Sequence, residues 1–376
     1  MPLLRVPYTD PLPLPKIIPS SASTASGAIA ALVEFLSAPS PPSAAKDKTV
    51  LLTGAGISVA SGLADYRGTN GTYTLNRNYR PIYFNEFCES HEARKRYWAR
   101  SFLGWTNLHR AKPNSAHVAV GRLGELGVVR KCVTQNVDSF HPSAHPSLPT
   151  IELHGYLRSL VCLTCRSEYS RAAFQKQLAM LNPAWAAFLQ QIIATGALDT
   201  EHPDERQKKG LKTNPDGDVD IPNAPYTTFR YPACPVCLEK PPQRPGGGIV
   251  EVRVDKDGAW AEDSNGGILK PAVIMFGESI PGPTKTAAEQ AIDEASRVLV
   301  VGSSLATYSA WRLIKRAKEN GMPIGILNLG GVRGEESFFA DVSPENTGWM
   351  AVRCSEPADK ILPQVVKVLE EDKILR

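Results

Sequence analysis

Short apolar runs, each stopped by glycine or a small polar residue, recur along the chain. They are KTVLLT (48–53), VVRKCVT (128–134), PAVIMF (271–276), RVLVVG (297–302) and IGILNL (324–329). Runs of this length, rich in β-branched residues and without polar alternation, fit strands buried on both faces. Between them, apolar positions recur at helical spacing over 27–38, 85–101, 115–126, 284–296, 305–320 and 357–372, with Gly321 as a stop for the fifth. Strands alternating with helices predict an α/β fold: a Rossmann-like parallel sheet covered by helices on both faces.

The rhythm fails between Leu160 and about Gly267. This stretch holds two C-x-x-C pairs, the charged segment EHPDERQKKGLKTNPDGDVD and the loop KPPQRPGGG. It reads as a small inserted domain with long surface loops, too polar to build a core of its own. The predicted division is therefore a tail over 1–24, the sheet domain from 25–159 and 268–376, and the inserted domain over 160–267. The tail is rich in proline and serine and reads as either a presequence or a disordered segment.

Composition narrows the class without deciding it. The 376 residues are 42% hydrophobic and 21% charged, ordinary for a globular protein. A net charge of +4, spread along the chain, gives no nucleic-acid patch. No apolar run reaches the roughly 20 residues of a membrane span. Seven cysteines are too few and too uneven for a disulfide scaffold. Four of them, Cys162, Cys165, Cys234 and Cys237, form the knuckle-like pairs CLTC and CPVC. Four thiolates at this spacing suit tetrahedral zinc in a closed, structural site, with a redox C-x-x-C or chance buried cysteines as the other readings.

The strand ends carry the remaining candidate chemistry. KTVLLT runs into Gly54-Ala55-Gly56-Ile57-Ser58, a turn whose glycines let backbone approach a phosphate or ribose. Yet Val59 stands where the dinucleotide fingerprint needs its third glycine, no Gly-Lys-Ser/Thr follows, and TYTLNRNYR offers no acid for a ribose. The turn is either a purely structural one or holds a nucleotide by another scheme, with Asp65, Tyr66 and Arg67 close behind. VVRKCVT ends in Gln135, Asn136 and Asp138, polar side chains at the sheet's carboxyl edge or merely a helix cap. In Glu152-Leu-His154-Gly155 the glycine leaves the imidazole uncovered, although a lone histidine is often structural. His117, His141 and His145 read as surface or capping residues. Gly302-Ser303-Ser304 and Asn328-Leu329-Gly330 follow strong strands and offer N–H groups or hydroxyls, or only helix caps.

Taken in order, GAGISVASGLADYRG, TQNVDSFH, ELHG, the paired C-x-x-C, KPAVIMFGES, VGSSLATYS and ILNLG resemble the sirtuins, the NAD-dependent protein-lysine deacylases. The likeness covers roughly Gly27 to Leu369. RKRYWARSFLGW, NPAWAAF and PDGDV are most similar to the class II mitochondrial branch, sirtuin four-like. The resemblance implies NAD and zinc as cofactors, acylated-lysine proteins as partners and a mitochondrial matrix location. It implies that the acyl oxygen attacks the anomeric carbon of the nicotinamide ribose, nicotinamide leaves, and the acyl group ends on ADP-ribose. His154 corresponds to the general base, with Asn136 and Asp138 beside it. Gly54, Ala55, Gly56, Ile57, Ser58, Asp65, Tyr66, Arg67, Tyr73 and Gln135 would enclose the diphosphate and nicotinamide ribose. Gly302, Ser303, Ser304, Asn328, Leu329, Gly330 and Cys354 would hold the adenosine half. Phe276, Gly277 and Glu278 would contact the substrate backbone, and Tyr97 with Arg100 either an acidic acyl group or only water on a basic helix face; the expectation is turnover of bulky or acidic acyl-lysines, or of lipoyl-lysine, ahead of acetyl. Mono-ADP-ribosyl transfer on the same fold and a non-enzymatic zinc-stabilised module are the alternatives.

Overall fold

The computed structural model describes residues 8, 10–40, 49–75, 79–196, 212–221, 223–244 and 246–375. Most of the charged segment at 201–210 and the end of the loop before the first strand fall outside them. The chain divides into two units: Met1–Arg77, Lys112–His154 and Ser279–Arg376 form the first, Asn78–Ala111 and Gly155–Glu278 the second. Among the described residues the strands are β1 Thr49–Thr53, β2 Val129–Thr134, β3 Thr150–Glu152, β4 Gly155–Cys162, β5 Glu168–Ser170, β6 Lys212–Thr213, β7 Val219–Asp220, β8 Leu269–Val273, β9 Arg297–Val301, β10 Ile324–Leu327 and β11 Ala351–Cys354.

In the first unit β11-β10-β9-β1-β2-β3 form one parallel sheet. The chain builds outward from β1 to β3, then restarts beside β1 with β9 and builds the other way. That is the strand order of dinucleotide-binding folds, and its reversal between β1 and β9 is where such sheets open toward a ligand. β1, β9, β10 and β11 are buried along their whole length. Alternate side chains serve opposite faces, as a pleated strand requires. Leu51, Leu299 and Val301 pack with Phe35, Val120, Leu123, Ile361 and Val365 on one face. Val50, Leu52, Val298 and Val300 pack with Ala288, Ile292, Leu313 and Ile314 on the other. Cutting a fully buried leucine such as Leu51 or Leu52 to alanine in such a core costs about 2–5 kcal/mol.

The second unit has its own core, contrary to the sequence expectation. Trp98, Phe102, Phe174, Leu178, Trp185 and Phe229 are all buried in one cluster. Its aromatic residues are scattered among charges in the sequence, so composition understated them. PAVIMF is also reassigned: its strand, β8, pairs antiparallel with β4 in the sheet β5-β4-β8 and is no part of the parallel sheet. β8 is an edge strand, where the missing N–H of Pro271 is tolerated. The predicted helix 85–101 is two helices, Phe84–Glu89 and His91–Arg110, joined at Ser90, whose side chain caps the second by accepting from the Ala93 amide at 3.1 Å. Both lie in the second unit, not in the sheet domain.

The end of the predicted tail is folded. Ile18 pairs antiparallel with Arg353, Ser20–Ser23 make a short 3-10 turn with Ala22 buried, and Thr24 caps the helix Ala25–Ser37.

At the reversal point the turns after β1 and β9 meet backbone to backbone. Gly54 N donates to the Val301 carbonyl at 3.1 Å and Gly56 N to the Gly302 carbonyl at 2.8 Å. Gly302 has φ +60, and a Cβ on it would lie 2.4 Å from Ile57 N. Gly302→Ala should therefore destabilise by about 2–3 kcal/mol, whereas Gly321→Ala, at φ +66 with open space around it, should cost only about 1 kcal/mol. Urea unfolding of the two variants checks the difference.

Candidate active site

Three side chains at the end of β2 organise the edge of the first unit. Gln135 reaches across the reversal point, donating from Nε2 to Ser303 Oγ at 2.6 Å and to the Thr53 carbonyl at 3.2 Å. Its Oε1 accepts from the Thr307 hydroxyl at 3.0 Å. Asn136 Nδ2 donates to Ser58 Oγ at 3.1 Å, and that hydroxyl donates to Asp138 Oδ2 at 2.7 Å. Asp138 Oδ1 accepts from the Phe140 amide at 2.9 Å. Burial pushes the Asp138 carboxyl above its ordinary value, with these hydrogen bonds pulling the other way.

His117 completes this chain of contacts from below. The Asn114 amide donates to its Nδ1 at 3.3 Å, so Nε2 carries the proton and faces Ser58 Oγ at 3.5 Å. Burial lowers the imidazole to about 3, so it stays neutral. His117, His141 and His145 are thus not surface residues, although His117 does cap, completing the capping box of the helix Ser115–Glu125. All three are buried, and His141 bridges Thr53 Oγ1 at 2.8 Å and the His145 ring at 2.9 Å. His141 and His145 stand one helical turn apart, but nothing in the sequence placed His117 beside them.

His154 follows β3 and is 5% exposed. Its Nδ1 lies 3.0 Å from the Gln135 carbonyl, which can only accept, so the proton is assigned to Nδ1. Nε2 then carries the lone pair and accepts from the Ser309 hydroxyl at 2.8 Å. In the neutral ring this is the tautomer a general base needs. Ser309 and Thr307 were missed in the sequence, although both lie in the VGSSLATYS stretch.

The remaining predicted residues divide by what they touch. Asp65 is partly buried and accepts from the Gly68 amide at 2.9 Å, so its carboxylate orders its own loop. Tyr66 stacks on Tyr73, with the Arg67 guanidinium over the Tyr73 ring. Ala55 and Gly56 open a 3-10 turn with Ile57 in the core beneath it. Asn328, Leu329 and Gly330 lie on a loop pinned by Arg353, which is wholly buried. Arg353 donates to the Asn328, Cys354 and Gly330 carbonyls, each at 2.7 Å, and pairs with Glu335 at 2.7 Å. Ser304 accepts the Arg333 amide at 2.9 Å. The Cys354 side chain faces the core, and burial pushes its thiol to about 12. Only its backbone reaches the loop.

In the second unit, Phe276–Glu278 form a turn in which Glu278 pairs with buried Lys270 at 3.0 Å and accepts the Met275 amide at 2.9 Å. Arg100 does not stand free to receive a carboxylate: Asp218 pairs with it at 2.7 Å and Asp220 lies 3.9 Å away. Tyr97 packs edge-on against Phe87 and Trp98, and burial raises its hydroxyl.

The four cysteine sulfurs lie within 4.8 Å of one another. Cys162 and Cys237 are 3.6 Å apart, Cys165 and Cys234 3.7 Å. A tetrahedron with Zn–S bonds of about 2.3 Å has edges of about 3.8 Å, so the set fits zinc. Four sulfurs close the coordination sphere, and the site is structural.

The Sir2 family profile matches residues 54–309, from the first glycine turn through Ser309. The chain belongs to the Sir2 family. Among similar proteins, this sirtuin is 40% identical over 293 residues to the NAD-dependent protein deacylase SIR4 of Batrachochytrium dendrobatidis, covering 77% of this chain and 83% of that one. It is 33% identical over 289 residues to the mitochondrial NAD-dependent protein lipoamidase sirtuin-4 of Bos taurus, 77% and 76%. It is 32% identical to the Drosophila melanogaster deacylase Sirt4, 84% and 83%. A solved structure described as the structural basis for the mechanism and regulation of Sir2 enzymes superposes with a TM-score of 0.54 at 24% identity, covering 93% of this chain and 98% of that one. A Sir2 protein solved with a peptide and NAD+ gives 0.51 at 23%, covering 87% and 94%.

Purified protein should carry one zinc per chain by elemental analysis. Cys234→Ser should lose the metal and lower the unfolding midpoint. Unchanged zinc content would rule out the four-sulfur site.

Proposed function

We propose that this sirtuin is an NAD-dependent protein-lysine deacylase. It transfers the acyl group of a modified lysine to ADP-ribose and releases nicotinamide. The observation that carries the reading is the His154 ring, with Nδ1 held on the Gln135 carbonyl and Nε2 turned to the Ser309 hydroxyl, at the edge bearing Gln135, Asn136 and Asp138. Family membership and the names of the relatives support it.

Bound NAD supplies an electrophilic anomeric carbon with nicotinamide as leaving group. The chain's own contribution is orientation and proton handling. Asn136 and Asp138, braced by Ser58, present an amide and a carboxylate in fixed positions, so geometry accounts for much of the rate. His154 Nε2 takes the proton of a ribose hydroxyl, exchanging its hydrogen bond from Ser309 for that one. Positive charge developing on the ring is stabilised through Nδ1–H and the Gln135 carbonyl. The zinc cysteines take no part in the chemistry.

The acyl preference follows from Arg100. Sirtuin likeness assigns Tyr97 and Arg100 to an acidic acyl carboxylate, but Asp218 already answers that charge from within the chain. We therefore assign the preference to a bulky neutral acyl group of the lipoyl type, ahead of acetyl and glutaryl. Acylated mitochondrial matrix proteins are the proposed substrates, in keeping with the mitochondrial bovine relative.

His154→Tyr should lower deacylation by at least about 100-fold while zinc content and the unfolding midpoint hold. Mass analysis of the products separates acyl-ADP-ribose from protein-bound ADP-ribose, which would indicate transfer to protein instead. On a peptide panel, kcat/KM should be highest for lipoyl-lysine. Asp218→Asn should raise glutaryl turnover relative to lipoyl by about tenfold, because it leaves the Arg100 charge open to the acyl carboxylate. Fastest turnover of acetyl would overturn the preference.

A further inference from the structure

The amino-terminal segment runs over the loops assigned to the cofactor. Its anchor is Ile18, which exchanges both backbone hydrogen bonds with Arg353, at 3.1 and 2.6 Å. From there toward the amino terminus, the Lys16 amide donates to Glu335 Oε1 at 3.2 Å. The Pro13 carbonyl lies so close to Gly331 that a Cβ on that glycine would sit 1.8 Å from it, with Leu12 at 3.1 Å. Pro11, Pro13 and Pro15 alternate here and favour an extended, stiff backbone. At the far end Tyr8 meets two arginines. Arg67 donates to the Tyr8 carbonyl. The Arg333 guanidinium lies 4.6 Å from the Tyr8 ring and 4.8 Å from that of Trp311.

These contacts fall on both halves of the assigned cofactor site. Arg67 belongs to the diphosphate and nicotinamide ribose side, and Gly331 adjoins the Asn328–Gly330 loop of the adenosine side. Arg67 is partly buried, and burial lowers its pKa, so it needs an electronegative partner. The Tyr8 carbonyl provides one where a phosphate or ribose oxygen would otherwise do so. Tyr8 also screens Arg333, a second cation beside Ser304.

We propose that Tyr8 and the stretch Asp10–Lys16 together are an internal competitor of NAD. It closes as a strap over the dinucleotide face, and cofactor binding requires its displacement. The proposal rests on the assignment of Arg67 and the Asn328–Gly330 loop to the cofactor. Beyond Ile18 its described contacts, to Glu335, Gly331, Arg67 and Arg333, lie outside the strands, so displacement leaves the sheet and its core intact. The apparent affinity for NAD is then the intrinsic affinity reduced by the fraction of chains with the strap open. Proteolytic removal of the segment would convert a strapped enzyme into one of higher cofactor affinity.

The test uses the full chain, with Tyr8→Ala as one variant and Tyr8→Ala combined with Leu12→Ser and Pro13→Ser as a second. Calorimetry with ADP-ribose and steady-state kinetics with NAD are the readouts. The expected result is a Kd for ADP-ribose and a KM for NAD about fivefold lower in Tyr8→Ala, lower still in the triple variant, with kcat unchanged. In the wild-type chain, saturating ADP-ribose should speed tryptic cleavage after the exposed Lys16. Equal Kd values across the three proteins, with cleavage at Lys16 not accelerated, would overturn the strap and leave the cofactor site standing. Failure of all three to bind ADP-ribose would overturn the cofactor assignment itself, and the strap with it.

Discussion

The candidate site depends on one close approach: two turns of backbone, after β1 and after β9, touching without side chains between them. The sheet reverses its direction of construction there, so no crossover connection covers the strand ends. Gly54, Gly56 and Gly302 let the turns close by direct N–H to carbonyl contacts. Once closed, they fix the start of β2's polar tail, because Gln135 bonds to both the Thr53 carbonyl and Ser303. His154 is then oriented by the Gln135 carbonyl. The base, the cradle and the sheet edge are one continuous hydrogen-bonded assembly.

Polar groups in this assembly are buried but satisfied, which is what keeps it in one arrangement. Ser58 receives from Asn136 and faces the His117 N–H while giving its proton to Asp138. Arg353 spends its guanidinium on three carbonyls and Glu335, with no exposure to water. Removing either member of that pair would leave a buried charge unanswered, a cost of several kcal/mol. Such groups tolerate no half-measures in a dry interior, and they turn a flexible glycine loop into a defined surface.

Most of this was legible where chemistry and periodicity coincided. Four of the six strands of the parallel sheet were readable because residues such as Leu51, Leu52, Val298 and Val300 are apolar without alternation; β3, three half-buried residues, and β11, interrupted by the buried Arg353, were not. The zinc set was readable because ligand spacing is local. The failures have a common cause. Pro271 and its neighbours look like a buried strand in composition, yet only long-range pairing with β4 decides which sheet they join. His117 meets the i, i+4 pair His141 and His145 from another helix, and no local pattern announces that meeting. Asp218 neutralises Arg100 from a hairpin over a hundred residues away, so the Tyr97–Arg100 spacing alone suggested a vacant receptor. The aromatic core of the second unit is drawn from Trp98 to Phe229, too dispersed to register as a hydrophobic run.

The central position of β1 also shapes how the chain acquires its fold during synthesis. Thr49 pairs with Val129 on one side and with Arg297 on the other. The first partner emerges from the ribosome soon after, but the second only after the whole zinc-bearing unit has been made. Until then β1 exposes an unpaired apolar edge, a template for aggregation. Long-range parallel pairing of this kind folds slowly, because loop closure precedes any reward from contact. The second unit, whose residues lie largely within one interval, does not wait on so distant a pairing.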